Sequence, residues 1–217
     1  MNAKVELASI YIECGAIAID PINPFTWSSG LRSPIYCDNR KLLGYPKERN
    51  QIIHELVKAI QNSGEEIDVI AGCATAGIPH AAWVSEQLQL PMAYVRGEKK
   101  AHGRGQQIEG ADVTGKRVLV LEDLISTGKS VAKVLEAITE AGGKPVVVWS
   151  LMTYELEAAQ ETFAKWGVPV HSLLAFSDLY PLVKESLSEE AFIHLQSWSK
   201  NPVTWDEVYR ENQLAKS

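Results

Sequence analysis

The sequence predicts an α/β fold: a mostly parallel central sheet flanked by helices. Two observations predict it. From residue 67 onward, short apolar runs alternate with helical stretches, the pattern of a sheet covered on both faces. One of those runs, Val118 to Asp123, passes directly into a Ser/Thr/Gly turn and then a helix. Open α/β sheets bind ligands just beyond strands that end this way. At 217 residues the chain is sized for one domain with additions.

The elements follow in order. Residues from about 4 to 18 carry apolar positions at helical spacing, and Asp20, Pro21 and Pro24 break that helix. Phe25 to Arg40 reads as two short strands around a Ser/Gly turn. Pro46 opens a helix that runs to about Asn62 and ends at Gly64. Ile67–Gly72 is a strand, Ile78–Leu90 a helix and Met92–Arg96 a strand. Residues 97–114 form a polar, Gly-rich connection without periodicity. Arg117–Asp123 is a strand, Lys129–Ala141 a helix closed by Gly142 and Gly143, and Pro145–Met152 a strand. A helix over about 155–166 and a strand over Val168–Leu174 complete the alternation. The tail from 178 reads as short helices, the last opened by Pro202 with Thr204 as cap and Glu207 three residues on. Trp83, Trp149 and Trp166 fall at core positions, while Trp27 is open between packing and touching a ligand.

Composition removes several classes of function. The net charge of −6 and pI near 5.4 argue against a nucleic-acid partner, which calls for a basic face. No run of about 18 apolar residues suggests a membrane span, and Glu6, Glu13 and Asp20 interrupt the start too often for a signal peptide. Cys14, Cys37 and Cys73 are widely spaced and odd in number, which points to free thiols in the cytoplasm. No His/Cys cluster has zinc spacing.

Positive charge is concentrated in one place. Arg96 to Arg104 holds four cationic residues and one acid. Long structureless connections inside compact domains are usually functional or disordered. This one reads as a mobile lid over a small polyanion. His102 lies in it among the cations. His54, His80, His171 and His194 read as surface or packing residues.

The segment Val118 to Ser130 carries the most chemistry. A buried strand ends in Glu122 and Asp123, then Ser126, Thr127 and Gly128 lead into a helix. A helix amino terminus offers unpaired N–H groups and a positive dipole end, which suit a phosphate. Gly128–Lys129–Ser130 matches the end of a nucleotide P-loop, but that pattern requires glycine at 123, where this chain has Asp. Two adjacent carboxylates would repel a polyphosphate, whereas they can accept hydrogen bonds from ribose hydroxyls. The segment therefore reads as a cradle for a ribose 5-phosphate.

These residues resemble the binding motif of type I phosphoribosyltransferases for 5-phosphoribosyl 1-diphosphate (PRPP). Three further segments narrow the resemblance to the orotate phosphoribosyltransferases. Arg96, Lys100, His102 and Gly103 resemble their catalytic loop. Phe25 to Gly30 with Ser33 to Tyr36 resembles their base-binding segment, and Ala71 to Pro79 their pyrophosphate-side loop. The resemblance implies the type I fold over the whole chain, 1–217. A small hood would come from about 1–45 and the C-terminal tail, with a catalytic loop at about 97–111. It implies transfer of ribose 5-phosphate from PRPP to orotate, giving orotidine 5'-monophosphate and pyrophosphate in pyrimidine biosynthesis. It further implies Mg2+ held mainly through PRPP rather than by protein ligands, and a homodimer sharing the 97–111 loop across subunits.

By the same resemblance Lys100, His102 and Asp123 are catalytic. Arg96, Lys100, His102, Glu122, Asp123, Leu124, Ile125, Ser126, Thr127, Gly128, Lys129 and Ser130 bind PRPP, and Ser126, Tyr36 and Cys37 bind orotate. Ser28, Ala76, Gly97 and Tyr154 stand at or near places where enteric-type relatives carry basic residues, as in the Gram-positive version of the family. Arg32, Arg40 and Lys41 are the candidates for the orotate carboxylate. Two other functions fit part of the pattern. A purine phosphoribosyltransferase is opposed by the base-binding segment and the Lys100–Gly103 stretch. A PRPP-sensing regulator is opposed by the low pI and the intact catalytic loop.

Overall fold

The computed structural model describes residues 3–27, 30–97 and 107–214. The chain begins with α1 (Ala3–Glu13) and four short strands: β1 (Ile17–Ile19), β2 (Phe25–Thr26), β3 (Arg32–Ser33) and β4 (Ile35–Cys37). A 3-10 turn (Asn39–Gly44) leads into α2 (Pro46–Ser63), β5 (Val69–Cys73), α3 (Gly77–Leu88), β6 (Met92–Val95) and β7 (Ile108–Gly110). Then come β8 (Arg117–Ile125), α4 (Lys129–Glu140), β9 (Lys144–Thr153), α5 (Glu157–Ala164) and β10 (Val170–Ala175). The tail holds α6 (Tyr180–Val183), α7 (Glu189–Trp198) and α8 (Pro202–Leu214).

The main sheet has the order β10–β9–β8–β5–β6–β7. All its pairs are parallel except β6 with β7. The mostly parallel sheet expected from the sequence is therefore present. From β5 the chain moves outward through β6 and β7, then returns to lay β8 on the other side of β5 and continues to β9 and β10. The order thus reverses between β5 and β8, and a crevice opens at their carboxyl ends, where such sheets bind ligands.

Alternation along each strand feeds two cores. In β8, Val118 and Val120 face α4 and α5, packing with Val131, Val134, Leu135, Ile138 and Phe163. Leu119 and Leu121 face the opposite layer, with Ile52, Leu56, Ala81 and Val84 of α2 and α3. These strand side chains are fully buried, which stabilises the fold by about 1.5–3 kcal/mol each relative to exposure. The helices supply matching faces. Ile52, Ile53, Leu56, Val57 and Ile60 recur at helical spacing along α2, and the left-handed Gly64 ends it.

Above the sheet, β1 pairs with β4 and β2 with β3 as two antiparallel ribbons. The C-terminal helices brace them. Tyr209 on α8 donates its hydroxyl to the Ile22 carbonyl at 3.1 Å. Asp206, buried in α8, accepts from Arg210 at 2.7 Å and lies 3.8 Å from Arg32 of β3. The Arg32 guanidinium also sits 5.2 Å over the Tyr209 ring.

Three sequence expectations need correction. The first helix stops at Glu13, not near 18, because Gly15 takes a left-handed φ of 65° and Ile17–Ile19 pairs with Ile35–Cys37 instead. The 97–114 connection contains β7, three residues held by register with β6 and too short to show periodicity. The last helix is capped by Asn201, whose side chain accepts from the Thr204 N–H at 3.0 Å, so Thr204 is inside the helix. Of the core tryptophans, Trp149 is buried, while Trp83 and Trp166 are half-buried against the cores. Among the described residues no helix is long and apolar enough to cross a membrane, and the three cysteines are free.

Candidate active site

β8 delivers Glu122 and Asp123 to the crevice. Both Glu122 oxygens are engaged within the protein: Oε1 accepts from the Asp123 N–H and Oε2 from the Ser130 hydroxyl, each at 3.0 Å. Glu122 thus ties the end of β8 to the first turn of α4. Burial first, and the adjacent Asp123 carboxylate second, push its pKa up to about 8. The shift favours the protonated form of Glu122, which lessens the charge of the acid pair. Asp123 is the more open of the two. Its backbone carbonyl is fixed by the Asn39 side-chain amide at 2.9 Å.

The turn after β8 depends on glycine at 128. Gly128 has φ +75°, and a Cβ there would lie 2.9 Å from the Phe163 ring. Only glycine meets both demands without strain. The Thr127 carbonyl accepts from the Thr162 hydroxyl at 2.9 Å. With its carbonyl turned to α5, the loop leaves the N–H end of α4 as the crevice wall. Ser126 and Thr127 are half-buried there, and Lys129 is exposed. Leu124 packs against one core, and the Ile125 side chain is buried in the other, so contact from Ile125 to a ligand is left to its backbone. Lys129 and Lys133 also wall a cleft of about 230 Å3 floored by Cys73, Ala74 and Val95.

The 74–76 loop forms the opposite wall. Gly77 brings it close: a Cβ there would lie 2.8 Å from the Leu121 carbonyl. The Ala74–Thr75 peptide is cis. Just below, His80 is buried with neither ring nitrogen hydrogen-bonded, and burial lowers its pKa to about 4. It is a neutral packing residue, as its helical position suggests. Arg96, at the exit of β6, pairs with Glu109 of β7 at 3.2 Å. Lys100 and His102 lie outside the described residues.

The ribbons form the third side. Tyr36 is partly exposed, with its ring 5.9 Å from Phe25. The Cys37 N–H donates to the Tyr154 hydroxyl at 3.1 Å. Trp27 stacks on Tyr154 at 5.5 Å and meets Trp198 edge-on, so it packs against the aromatic cluster. Burial, with smaller effects from neighbouring charges including Asp123, raises the pKa of the Tyr11 and Tyr154 phenols and the Cys37 and Cys73 thiols. None of these is an ionised nucleophile at neutral pH.

The three carboxylate candidates all have internal partners. Arg40 grips Asp38 through two bonds of 2.7 and 3.0 Å. Lys41 donates to the Gly15 carbonyl at 2.9 Å. Arg32 is engaged by Asp206 and Tyr209. An incoming carboxylate has to compete with those contacts.

Two acids, a glycine turn and a facing loop thus converge on one crevice beside the two ribbons. The phosphoribosyl transferase domain family matches residues 45–165. The orotate phosphoribosyltransferase of Bacillus cytotoxicus is 48% identical over 201 residues, covering 92% of this chain and 96% of that protein. The chain belongs to the orotate phosphoribosyltransferases. Two solved structures are similar in fold. The orotate phosphoribosyltransferase of Aeropyrum pernix has a TM-score of 0.70 and 30% identity, covering 82% of this chain and 98% of that one. The UMP synthase of Leishmania donovani has a TM-score of 0.76 and 27% identity over 91% of this chain, which spans 42% of that longer protein.

Sequence reasoning missed two residues that shape this phosphoribosyltransferase site. Asn39, which fixes the Asp123 backbone, carries no local signal because its partner is 84 residues away. Tyr154 shows in the sequence only as an aromatic near the place of a basic residue. Its role comes from a partner 117 residues off.

Proposed function

We propose that the protein transfers ribose 5-phosphate from PRPP to orotate, releasing pyrophosphate and forming orotidine 5'-monophosphate in pyrimidine biosynthesis. The observation that carries this reading is the 118–130 segment, with its acid pair and phosphate turn set at the switch point between β5 and β8. In the reaction the bond from the anomeric carbon to the diphosphate oxygen breaks. A bond to a ring nitrogen of orotate forms on the opposite face. The transition state resembles an oxocarbenium ion, so the protein positions two anions and neutralises the leaving group.

Each group has a task in this reading. Residues 126–130 wrap the 5-phosphate, and Asp123 accepts from the ribose hydroxyls. Glu122, buried and tied to Ser130, holds the ribose and phosphate subsites in register. Its raised pKa limits repulsion of the incoming polyanion. Tyr36, Cys37 and Ser126 flank orotate. Arg96 and Lys100 stabilise the departing diphosphate, and His102 hydrogen-bonds it or supplies a proton. Closure of the lid excludes water and so limits hydrolysis of PRPP.

Among the described residues no three His, Cys, Asp or Glu side chains are grouped to hold a metal ion. Both Glu122 oxygens are engaged within the protein, so Mg2+ would be carried mainly on the oxygens of PRPP, with Asp123 the nearer carboxylate, and would neutralise diphosphate charge. The same reading makes the protein a cytoplasmic homodimer in which residues 97–111 of one subunit complete the other's site. Free thiols support a reducing compartment.

The test mixes purified protein with PRPP, Mg2+ and orotate and follows orotate absorbance. Loss of absorbance that requires both PRPP and the metal is expected. No loss, with PRPP still raising the melting temperature, would mean that the cradle is real and that the base is not orotate or catalysis is gone.

A further inference from the structure

Tyr154 sits where both halves of the crevice meet. It follows the last residue of β9, at the carboxyl edge of the sheet. Its own N–H donates to the Ile125 carbonyl at 3.0 Å, one residue before the phosphate turn begins. Its hydroxyl accepts from the Cys37 N–H at 3.1 Å, next to the exposed Tyr36. One residue therefore spans from the ribose-phosphate side to strand β4.

The ring is held in place from two sides. It stacks on Trp27 with an interplanar angle of 17° and meets Trp198 edge-on at 5.3 Å. Tyr154 is 2% exposed, so the hydroxyl has little freedom to seek water. β4 is also held at the fully buried Ile35, whose N–H donates to the Ser33 hydroxyl, and just beyond its end by Asn39, which donates to the Asp123 carbonyl at 2.9 Å. It is three residues long and pairs with the equally short β1. A strand so short draws little stability from its ladder. The Cys37 N–H is part-buried and would be left without its acceptor if the phenol were removed, so the Cys37–Tyr154 bond contributes to fixing this strand.

We infer that Tyr154 is a positioning residue for the base: its hydroxyl sets β4, and through it Tyr36 and Cys37, at the distance from the ribose cradle that orotate requires. This rests on the orotate reading above. The inference separates two functions of one side chain. The backbone N–H serves Ile125 in any variant, and the ring serves the aromatic cluster. The hydroxyl alone serves the base side.

Tyr154→Phe isolates the hydroxyl. It keeps the ring, the stack and the backbone bond. Steady-state kinetics are measured for the wild type and the variant, with the PRPP-induced rise in melting temperature as a second readout. The KM for orotate is expected to rise about tenfold, as one unsatisfied buried N–H implies. kcat and the PRPP-induced shift stay within twofold of wild type. An unchanged KM for orotate in Tyr154→Phe, beside an active wild type, overturns the inference. So does a parallel loss of kcat, orotate KM and PRPP shift, which marks a merely structural role. A wild type that binds PRPP but leaves orotate unconsumed refutes the functional reading instead. The two failures are thus distinguishable. If Tyr154→Phe does not fold, amide hydrogen exchange on the wild type replaces it: the Cys37 N–H is expected to be protected, and exchange as fast as that of a solvent-exposed amide overturns the inference.

Discussion

On the proposed reading, the ribose-phosphate side and the base side of the crevice are built on opposite plans. The first is local. Glu122, Asp123, Gly128 and Ser130 lie within nine residues of chain, and two bonds from Glu122 close the unit on itself. The second is assembled from afar. Cys37 depends on Tyr154, Arg32 on Asp206, and Ile22 on Tyr209, at separations of 117 and 187 residues for the first and last pairs. A local unit can be rigid before the substrate arrives. An assembled one is positioned by the rest of the fold and can shift as a body. The cradle should therefore read a phosphate and ribose common to many substrates, while the assembled side reads the base.

Variants can break or sharpen this contrast. The largest effect is expected from Lys100→Ala, which belongs to neither side. Loss of one charge that meets the developing diphosphate should lower kcat by about 10²–10³-fold. The melting temperature should hold. A rate near wild type removes Lys100 from the chemistry. Asp123→Asn attacks the local side, and about 1.5–3 kcal/mol of charged hydrogen bonding is at stake. PRPP affinity and turnover should both fall by at least tenfold while the orotate KM changes little. Equal damage to both substrates would dissolve the distinction between the sides.

Asp206→Asn attacks the assembled side. It weakens the ion pair from α8 to Arg32 of β3 and the bond to Arg210 within α8, and should cost about 1 kcal/mol of stability. Denaturant titration checks the loss, and kinetics should show a raised orotate KM with the PRPP KM held. The smallest effect concerns His80 beneath the 74–76 loop. Its pKa falls from 6.5 to about 4 on folding. The unfolded chain then binds the extra proton between those values, so stability is lost as pH falls through that window. His80→Leu should lose less stability than wild type between pH 6.5 and 4, measured as melting temperature against pH. Parallel curves would mean that His80 finds a partner in solution.

The contrast also explains what the sequence revealed. Strand, acid pair, glycine turn and helix are consecutive, so the cradle could be read from residues 118–130. The parallel sheet followed from apolar runs such as Val118–Leu121, which are buried on both faces. The hood could not be read the same way. Ile17–Ile19 looks helical until its partner Ile35–Cys37 is known. β7 has three residues and gains its identity from Tyr94, whose hydroxyl donates to Glu109 at 2.6 Å. Asn39 and Tyr154 act only through residues far along the chain. Arg32, Arg40 and Lys41 looked available because Asp206, Asp38 and the Gly15 carbonyl could not be placed beside them from sequence alone.

The central claim is that the local side binds PRPP and the assembled side chooses orotate. The most direct test offers the protein PRPP and Mg2+ with equal amounts of orotate, adenine and hypoxanthine, and identifies the nucleotides formed by chromatography. Orotidine 5'-monophosphate alone is the expected product. A purine nucleotide in its place would contradict the assignment of the base side and leave only the cradle standing.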